Sequence, residues 1–420
     1  MSSHGVPRKP RTRTDEQKRL DTEKIRKYHE LEEQLRSRTG YDQEVFQLTT
    51  RLLKLNPEYY TVWNVRRRCV LASLQPKARS SNLPTEGHTP RALDAAADDG
   101  IPKHDKNDDG DSNSRTHDQE ESAAAHNLSV ITTELHFTIP LLLEFPKCYW
   151  IWSYRLWTLQ QAIERLETPA ARRIWEDELA LDSKMLTKDR RNFHAWGYRR
   201  QVVEQLESPV LCGGDDDNGA AAAGATAATA ASRSLVEPEF AYTTKMVRRD
   251  LSNFSAWHNR SKLIPRLLDE RGASDEARKA FFDEELGLVR EALNVGPEDQ
   301  SLWFYHQFLM LNLTDYTGRP TITPHLSQDE RTTYIEQELE AIRELLLDYN
   351  DVKWIYEALL EYTIAAAKMV ERPLRVDERV EAEGWLAKLR QLDPMRNGRW
   401  NDLELEHILG RRPPLEQESM

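Results

Sequence analysis

Side chains that could ligate a metal or act as nucleophiles are few and scattered in this 420-residue chain. The three cysteines, Cys69, Cys148 and Cys212, are odd in number and widely spaced. They predict neither a disulfide framework nor a Cys-x-x-Cys metal pair, and no His, Cys and Asp set has zinc spacing. We therefore expect no metal centre on this chain and a reducing, cytosolic setting.

A lysine marks one copy of a repeated motif. In Asn56 to Arg67 and in Phe145 to Arg155, a proline precedes a tryptophan by six positions and an arginine follows it by three. Only the second copy has a lysine, Lys147, directly after its proline; Glu58 takes that place in the first copy. Features shared by all copies indicate scaffold, so residues that differ between copies are the candidates for function.

The repeat predicts the elements that position these residues. Five clear copies lie near 56–67, 145–156, 189–200, 250–260 and 297–306, with weaker ones at 349–357 and 393–403. An amphipathic stretch precedes each motif, and Asn56-Pro57 predicts the end of one such helix. Each unit is therefore predicted to be a helical hairpin. The fold class is all-α, an α-solenoid (superhelical crescent) of stacked hairpins.

The tryptophan and the aromatic residue three positions before it recur in repeats that cannot all carry chemistry. We therefore expect both rings to pack between helices. The arginine after the tryptophan is expected to stack on the indole or to cap carbonyls of a neighbouring repeat.

Composition separates the repeat domain from linkers. The predicted parts are a basic N-terminal arm with a first helix (1–40), the repeat domain (41–410) and a tail (411–420). Disordered inserts are predicted at 77–127, which is acidic, and at 208–235, which is rich in Ala and Gly. The formal charge of −12 argues against nucleic-acid binding, and no apolar run is long enough for membrane insertion.

The motif Pro-x-x-Tyr-x-x-Trp-x-x-Arg resembles that of the α subunits of protein prenyltransferases. The resemblance covers about Asn56 to Trp400 and implies an obligate heterodimer with a β subunit. It implies alkylation of a cysteine thiolate by an allylic diphosphate. Zinc would be bound by the β subunit, and magnesium is a second candidate cofactor.

The resemblance also assigns residues. Lys147-Cys148-Tyr149 is similar to the family's Lys-x-Tyr, and Asn192-Phe193-His194 to its Asn-aromatic-His run beside the diphosphate. It implies that Lys147, Tyr149 and His194 are catalytic and that these three and Asn192 bind the diphosphate. Glu58 is expected to have no part in the chemistry. His4 is a weak candidate zinc ligand, against the simpler interpretation of a disordered tail.

The N-terminus, from His4 to Tyr41, is similar to that of Rab-type α subunits, and Trp150 replaces a glutamine found in CaaX-type relatives. The implied activity is geranylgeranyl transfer from geranylgeranyl diphosphate to C-terminal cysteines (CC or CXC) of Rab GTPases presented by an escort protein, in the cytoplasm. Two alternatives stay open: an α subunit shared by farnesyltransferase and type I geranylgeranyltransferase, and a non-catalytic helical scaffold.

Overall fold

The computed structural model describes residues 14–76, 111–212 and 234–409. Within these ranges the chain is helical and contains no strand. The α-helices are α1 (Asp15–Arg36), α2 (Gln43–Leu55), α3 (Tyr60–Ser73), α4 (Asp111–Glu144), α5 (Tyr149–Arg165), α6 (Thr168–Lys188), α7 (Phe193–Leu206), α8 (Pro209–Cys212), α9 (Val236–Arg249), α10 (Phe254–Glu270), α11 (Asp275–Val295), α12 (Gln300–Thr314), α13 (Gln328–Asp348), α14 (Lys353–Met369), α15 (Val376–Leu392) and α16 (Asn397–Leu403).

The described residues form two compact units. The first contains those up to Lys188 and residues 194–212; the second contains Asp189–Phe193 and the described residues from Ser234 onward. In the first unit α2 packs on α3, α4 on α5, and α3 on α5. In the second unit α9 packs on α10, α11 on α12, and the second helices α10, α12 and α14 pack in succession. The predicted all-α fold of stacked hairpins, the α-solenoid class, is confirmed within each unit.

The motif builds the turn inside each hairpin. Asn56, before Pro57, ends α2 in an extended conformation (φ −149°, ψ 94°), as the steric demand of the following proline requires. The indole N–H of buried Trp63 then donates to the Pro57 carbonyl at 2.8 Å. Trp152 donates to Pro146 at 2.9 Å in the same way. This bond ties the start of the second helix to the turn.

The same bond forms without proline. The indole N–H of Trp257 donates to the Leu251 carbonyl at 2.8 Å. The bond therefore needs a backbone carbonyl six residues before the tryptophan, and a proline at that place only favours the conformation of the turn. In the sixth hairpin the residue in this place is Tyr356, whose hydroxyl donates to the Asn350 carbonyl at 2.7 Å. The weak sixth copy is therefore in register with Tyr356 rather than with Trp354.

The motif arginine joins successive hairpins. Arg66 donates to both carboxylate oxygens of Glu134 on α4, at 2.6 and 2.9 Å, and Tyr154 donates to the same carboxylate at 2.6 Å. The Arg66 guanidinium lies between the rings of Phe46 and Phe137. This arginine was predicted to stack on the indole or to cap carbonyls of a neighbouring repeat; Arg66 instead pairs with a carboxylate of the next hairpin, as the charge of a buried guanidinium requires.

Two further buried sets repeat this arrangement. Arg155, Glu178 and Tyr198 form one in the first unit; Arg260, Glu285 and Tyr305 form the other in the second unit. We call these three sets the Arg–Glu–Tyr ties. In each, the glutamate precedes its tyrosine by 20 residues. That spacing is a sequence signal for the ties.

The fifth hairpin has His306 in place of the motif arginine. Its Nε2 lies 2.9 Å from Glu338 and its Nδ1 lies 2.9 Å from the Tyr362 hydroxyl. Burial alone would raise the pKa of Glu338, but hydrogen bonds from His306 and Arg290 outweigh it and lower that pKa. A carboxylate between successive hairpins is thus retained although a histidine takes the place of the arginine.

The aromatic residue three positions before the tryptophan is only partly packed between helices: Tyr60 contacts Trp150 of the next hairpin and Phe254 contacts Phe304, yet about half or more of each side chain is exposed. Tyr60, Tyr149, Phe193 and Phe254 are 50 to 67% exposed. Each is the first residue of its helix. Helical side chains lean toward the N-terminus, so a first residue has no preceding turn to pack against.

The insert boundaries also need correction. Residues 111–127 belong to α4, and buried Asn127 exchanges hydrogen bonds with the Gln75 backbone at 2.9 and 3.1 Å. The predicted insert 77–127 is therefore wrong at its C-terminal end, where Ala and Glu favour helix. Likewise Leu211 of α8 is buried, within the predicted insert 208–235. Residues 77–110, 213–233 and the tail from 410 lie outside the described residues.

Across the part of the chain that the structure describes, no helix combines the length and apolar character needed to cross a bilayer.

Candidate functional site

The candidate residues lie where second helices begin. Lys147 is exposed in the turn between α4 and α5, and Tyr149 is the first residue of α5. His194 is the second residue of α7 in the next hairpin. Stacking of hairpins brings equivalent turns side by side, which places residues of neighbouring repeats at one surface.

Tyr149 and His194 are brought together. Their ring centroids are 6.5 Å apart, with the ring planes inclined at 57°. The Tyr149 side chain is 57% exposed and His194 is half-buried. A phenol hydroxyl and an imidazole N–H are both hydrogen-bond donors, so this pair could hold an anion at the surface.

Burial, together with two nearby charges, sets the protonation of His194. Burial lowers the pKa of His194; Glu58 opposes this effect, and the nearby Lys147 ammonium reinforces it. Lys147 is therefore close enough to act on the imidazole. A lowered pKa keeps His194 neutral at pH 7, where one ring nitrogen donates and the other accepts.

Asn192 is placed in the turn that precedes α7. Its side chain is buried, and its backbone N–H donates to the Asp189 carbonyl at 3.2 Å. It falls within the second unit, whereas Lys147, Tyr149 and His194 fall within the first. The diphosphate-binding role of Asn192 therefore remains a prediction from sequence.

Cys148, between Lys147 and Tyr149, is structural. Its thiol is buried and lies 3.5 Å from the Pro57 carbonyl of the preceding hairpin, to which it donates. Burial raises the pKa of Cys148 to about 11. The thiol is therefore protonated near neutral pH and is a poor nucleophile.

Glu58 was expected to have no part in the site, but its carboxylate acts on the pKa of both His194 and Cys148. It takes the Lys147 place in the preceding hairpin, and stacking sets these equivalent turns next to each other. An alignment of the repeat copies could have revealed this contribution, because the position after the proline is acidic in the first copy (Glu58) and basic in the second (Lys147).

No group of three or more His, Cys, Asp and Glu side chains that could hold a metal is found among residues 14–76, 111–212 and 234–409. His4 lies outside the described residues.

The repeat family described as "Protein prenyltransferase alpha subunit repeat" matches five segments of the chain. They are residues 42–73, 131–162, 175–206, 236–267 and 282–313. Each segment spans all or the C-terminal part of a leading helix and all or most of the second helix, so the matches coincide with the first five hairpins.

Similar proteins are named "Geranylgeranyl transferase type-2 subunit alpha". The one from Saccharomyces cerevisiae is 28% identical, over 96% of this chain and 99% of the relative. The one from Schizosaccharomyces pombe is 29% identical, over 93% and 95%. The human one is 29% identical over 75% of this chain and 42% of its own length.

Proposed function

The chain belongs to the family of protein prenyltransferase α subunits, and on that premise we propose that it is the α subunit of a type II (Rab) geranylgeranyltransferase. Such a subunit acts only as a heterodimer with a β subunit. The observation that carries the proposed site is the grouping of Lys147, Tyr149 and His194 at the surface of two neighbouring hairpins.

The reaction transfers a geranylgeranyl group from geranylgeranyl diphosphate to a cysteine sulfur. The cysteine thiol loses its proton, a bond forms between sulfur and the terminal allylic carbon, and the carbon–oxygen bond to the diphosphate breaks. The diphosphate leaves with the bonding electron pair, so negative charge grows on its oxygens. Preorganised donors and cations at those oxygens lower the barrier.

Each candidate side chain has a distinct part in this step. The Lys147 ammonium attracts the growing charge, and the Tyr149 hydroxyl donates a hydrogen bond to a diphosphate oxygen. Neutral His194 donates from one ring nitrogen without adding a second cation beside Lys147. Asn192 is proposed as a further amide donor to the diphosphate.

Zinc, which favours the thiolate form of the substrate cysteine when bound, is assigned to the β subunit, and magnesium is proposed as a second cofactor. The Rab escort protein and Rab GTPases ending in CC or CXC are proposed as partners. The name shared by the relatives supports the type II assignment, and Trp150 supports it over CaaX recognition. Three free thiols are in keeping with a cytoplasmic location.

Co-expression with a type II β subunit tests the proposal. We expect a stoichiometric heterodimer that transfers labelled geranylgeranyl to a Rab protein ending in two cysteines when an escort protein is present. Each subunit alone should be inactive. Transfer restricted to CaaX substrates would show the CaaX-type alternative, and a chain that stays monomeric beside the β subunit would show the scaffold alternative.

A further inference from the structure

Four aromatic rings form a continuous row across the first three hairpins. Tyr60 lies 5.3 Å from Trp150, Trp150 lies 5.1 Å from Tyr149, and Tyr149 lies 6.5 Å from His194, between ring centroids. All four residues are in the first unit. We call Tyr60, Trp150, Tyr149 and His194 the aromatic row.

Tyr149 needs support from outside its own helix. It is the first residue of α5 and 57% exposed, so no preceding helical turn restricts its ring. Trp150 meets it edge to face, with the planes at 81°. Such pairs favour one ring orientation over others. The direction of the Tyr149 hydroxyl thus depends on where Trp150 is held.

Trp150 is held from the other side by Tyr60, the residue equivalent to Tyr149 in the preceding hairpin. The two rings are tilted at 32° to each other. At the position of Trp150, three other clear copies of the motif have a short hydroxylated residue, Thr61, Ser255 or Ser301. Those side chains are too short to bridge two rings, so this bridge is a departure from the common repeat.

We propose that Trp150, backed by Tyr60, is a positioning residue that orients the Tyr149 hydroxyl, beside His194, toward the leaving diphosphate. This inference rests on the proposed function, since it assigns Trp150 to the transfer step of that enzyme. Trp150 itself touches no reacting atom. Its effect passes through the Tyr149 ring, and it should be felt in the rate of chemistry more than in lipid affinity.

The test is a double-mutant cycle in the assembled heterodimer. Trp150→Ala should lower the single-turnover rate of geranylgeranyl transfer by about 3- to 10-fold, the range expected from losing one aromatic pair. Affinity for geranylgeranyl diphosphate should change less than about twofold. Trp150→Phe should restore most of the rate. In a Tyr149→Phe background, Trp150→Ala should add little, because the hydroxyl it orients is already absent.

Trp354 provides the matched control. It is the second residue of α14, as Trp150 is of α5, and its ring meets Phe304 at 5.8 Å. Trp354→Ala should leave the single-turnover rate unchanged. If Trp150→Ala prevents assembly, Tyr60→Ala replaces it, with the same direction expected.

Several outcomes would overturn the inference: a wild-type rate for the tested variant, an undiminished loss in the Tyr149→Phe background, or an equal loss for Trp354→Ala. Failure of the proposed function is distinguishable, because the wild-type heterodimer would then transfer no geranylgeranyl at all.

Discussion

At the scale of single residues, His194 lies between opposite charges from two other hairpins. Burial and the Lys147 ammonium lower its pKa, and Glu58 raises it. A folded-state pKa below the ordinary value of about 6.5 means that the native protein resists protonation. The stability that depends on neutral His194 is therefore present above that value and is lost as pH falls through the folded pKa.

Two substitutions should move this pKa in opposite directions. Lys147→Met removes a cation and should raise the pKa of His194, whereas Glu58→Gln removes an anion and should lower it. NMR titration of the histidine ring protons measures both changes. An unchanged pKa in both variants would show that neither charge reaches the imidazole.

Lys147 is predicted to act on the leaving group. Lys147→Ala should lower the single-turnover rate by about 10²-fold, as expected for the loss of one preorganised electrostatic contact. Affinity for geranylgeranyl diphosphate should fall less, because the contact strengthens as charge develops on the diphosphate. Rapid-quench measurements on the assembled heterodimer separate the two quantities.

The control must remove a lysine without touching the site. Glu58→Ala is unsuitable, since Glu58 acts on His194. Lys184, exposed on α6, is the better choice, and Lys184→Ala should keep the wild-type rate. An unchanged single-turnover rate in Lys147→Ala would show that Lys147 has no part in the transfer step.

At the scale of helices, the Arg–Glu–Tyr ties hold neighbouring hairpins together. Glu178→Ala would leave the buried Arg155 guanidinium and the Tyr198 hydroxyl without their shared acceptor. Removing one member of a buried ion pair costs about 3–5 kcal/mol. We expect the free energy of unfolding, measured by urea denaturation, to fall by that amount.

The double variant Arg155→Met with Glu178→Leu is the matched control. It removes both charges and keeps apolar volume, so its cost should be well below that of Glu178→Ala. Equal losses in the two variants would show that packing volume, and not the uncompensated charge, accounts for the effect.

The elements themselves could be predicted from sequence because their signals are local. Asn56-Pro57 gives the end of α2, and the tryptophan spacing gives the hairpins. The ties could not be derived from the motif alone, since Glu134 lies 68 residues from Arg66. Exposure of Tyr60 and Tyr149 was also missed, because sequence spacing does not reveal that a first helical residue lacks a preceding turn.

At the scale of the whole molecule, packing should decide which thiols react. Cys69 and Cys148 are buried, and burial raises the pKa of both, that of Cys148 to about 11. Cys212 is only half-buried. At pH 8, an aromatic disulfide reagent should modify Cys212 first, and the other two thiols only when denaturant unfolds the chain.

The reagent releases one aromatic thiolate for each cysteine modified, so the absorbance of that thiolate against time checks this order. Peptide mass spectrometry identifies the modified residue. Rapid modification of Cys148 in the native chain would mean that the α2–α3 and α4–α5 turns separate readily. Cys212→Ser is the control, because it should abolish the early phase alone.

From the repeat alone, Lys147 could be singled out because it departs from the residues at the same place in the other copies. Tyr149, Asn192 and His194 became candidates through the family resemblance, and all four stay predictions. The contribution of Glu58 and the bridge formed by Trp150 depend on how successive turns stack. Such neighbours are far apart in sequence, since Tyr60 precedes Trp150 by 90 residues, so they become visible only in three dimensions.

The 68-residue separation between Arg66 and Glu134 has a consequence for synthesis. A ribosome releases the chain N-terminus first at about 5 to 20 residues per second, so Arg66 waits roughly 3 to 14 s for its carboxylate. During that interval the first hairpin presents an uncompensated guanidinium on the face that its successor will cover. The first hairpin can therefore complete its tie only after the second hairpin has been synthesised.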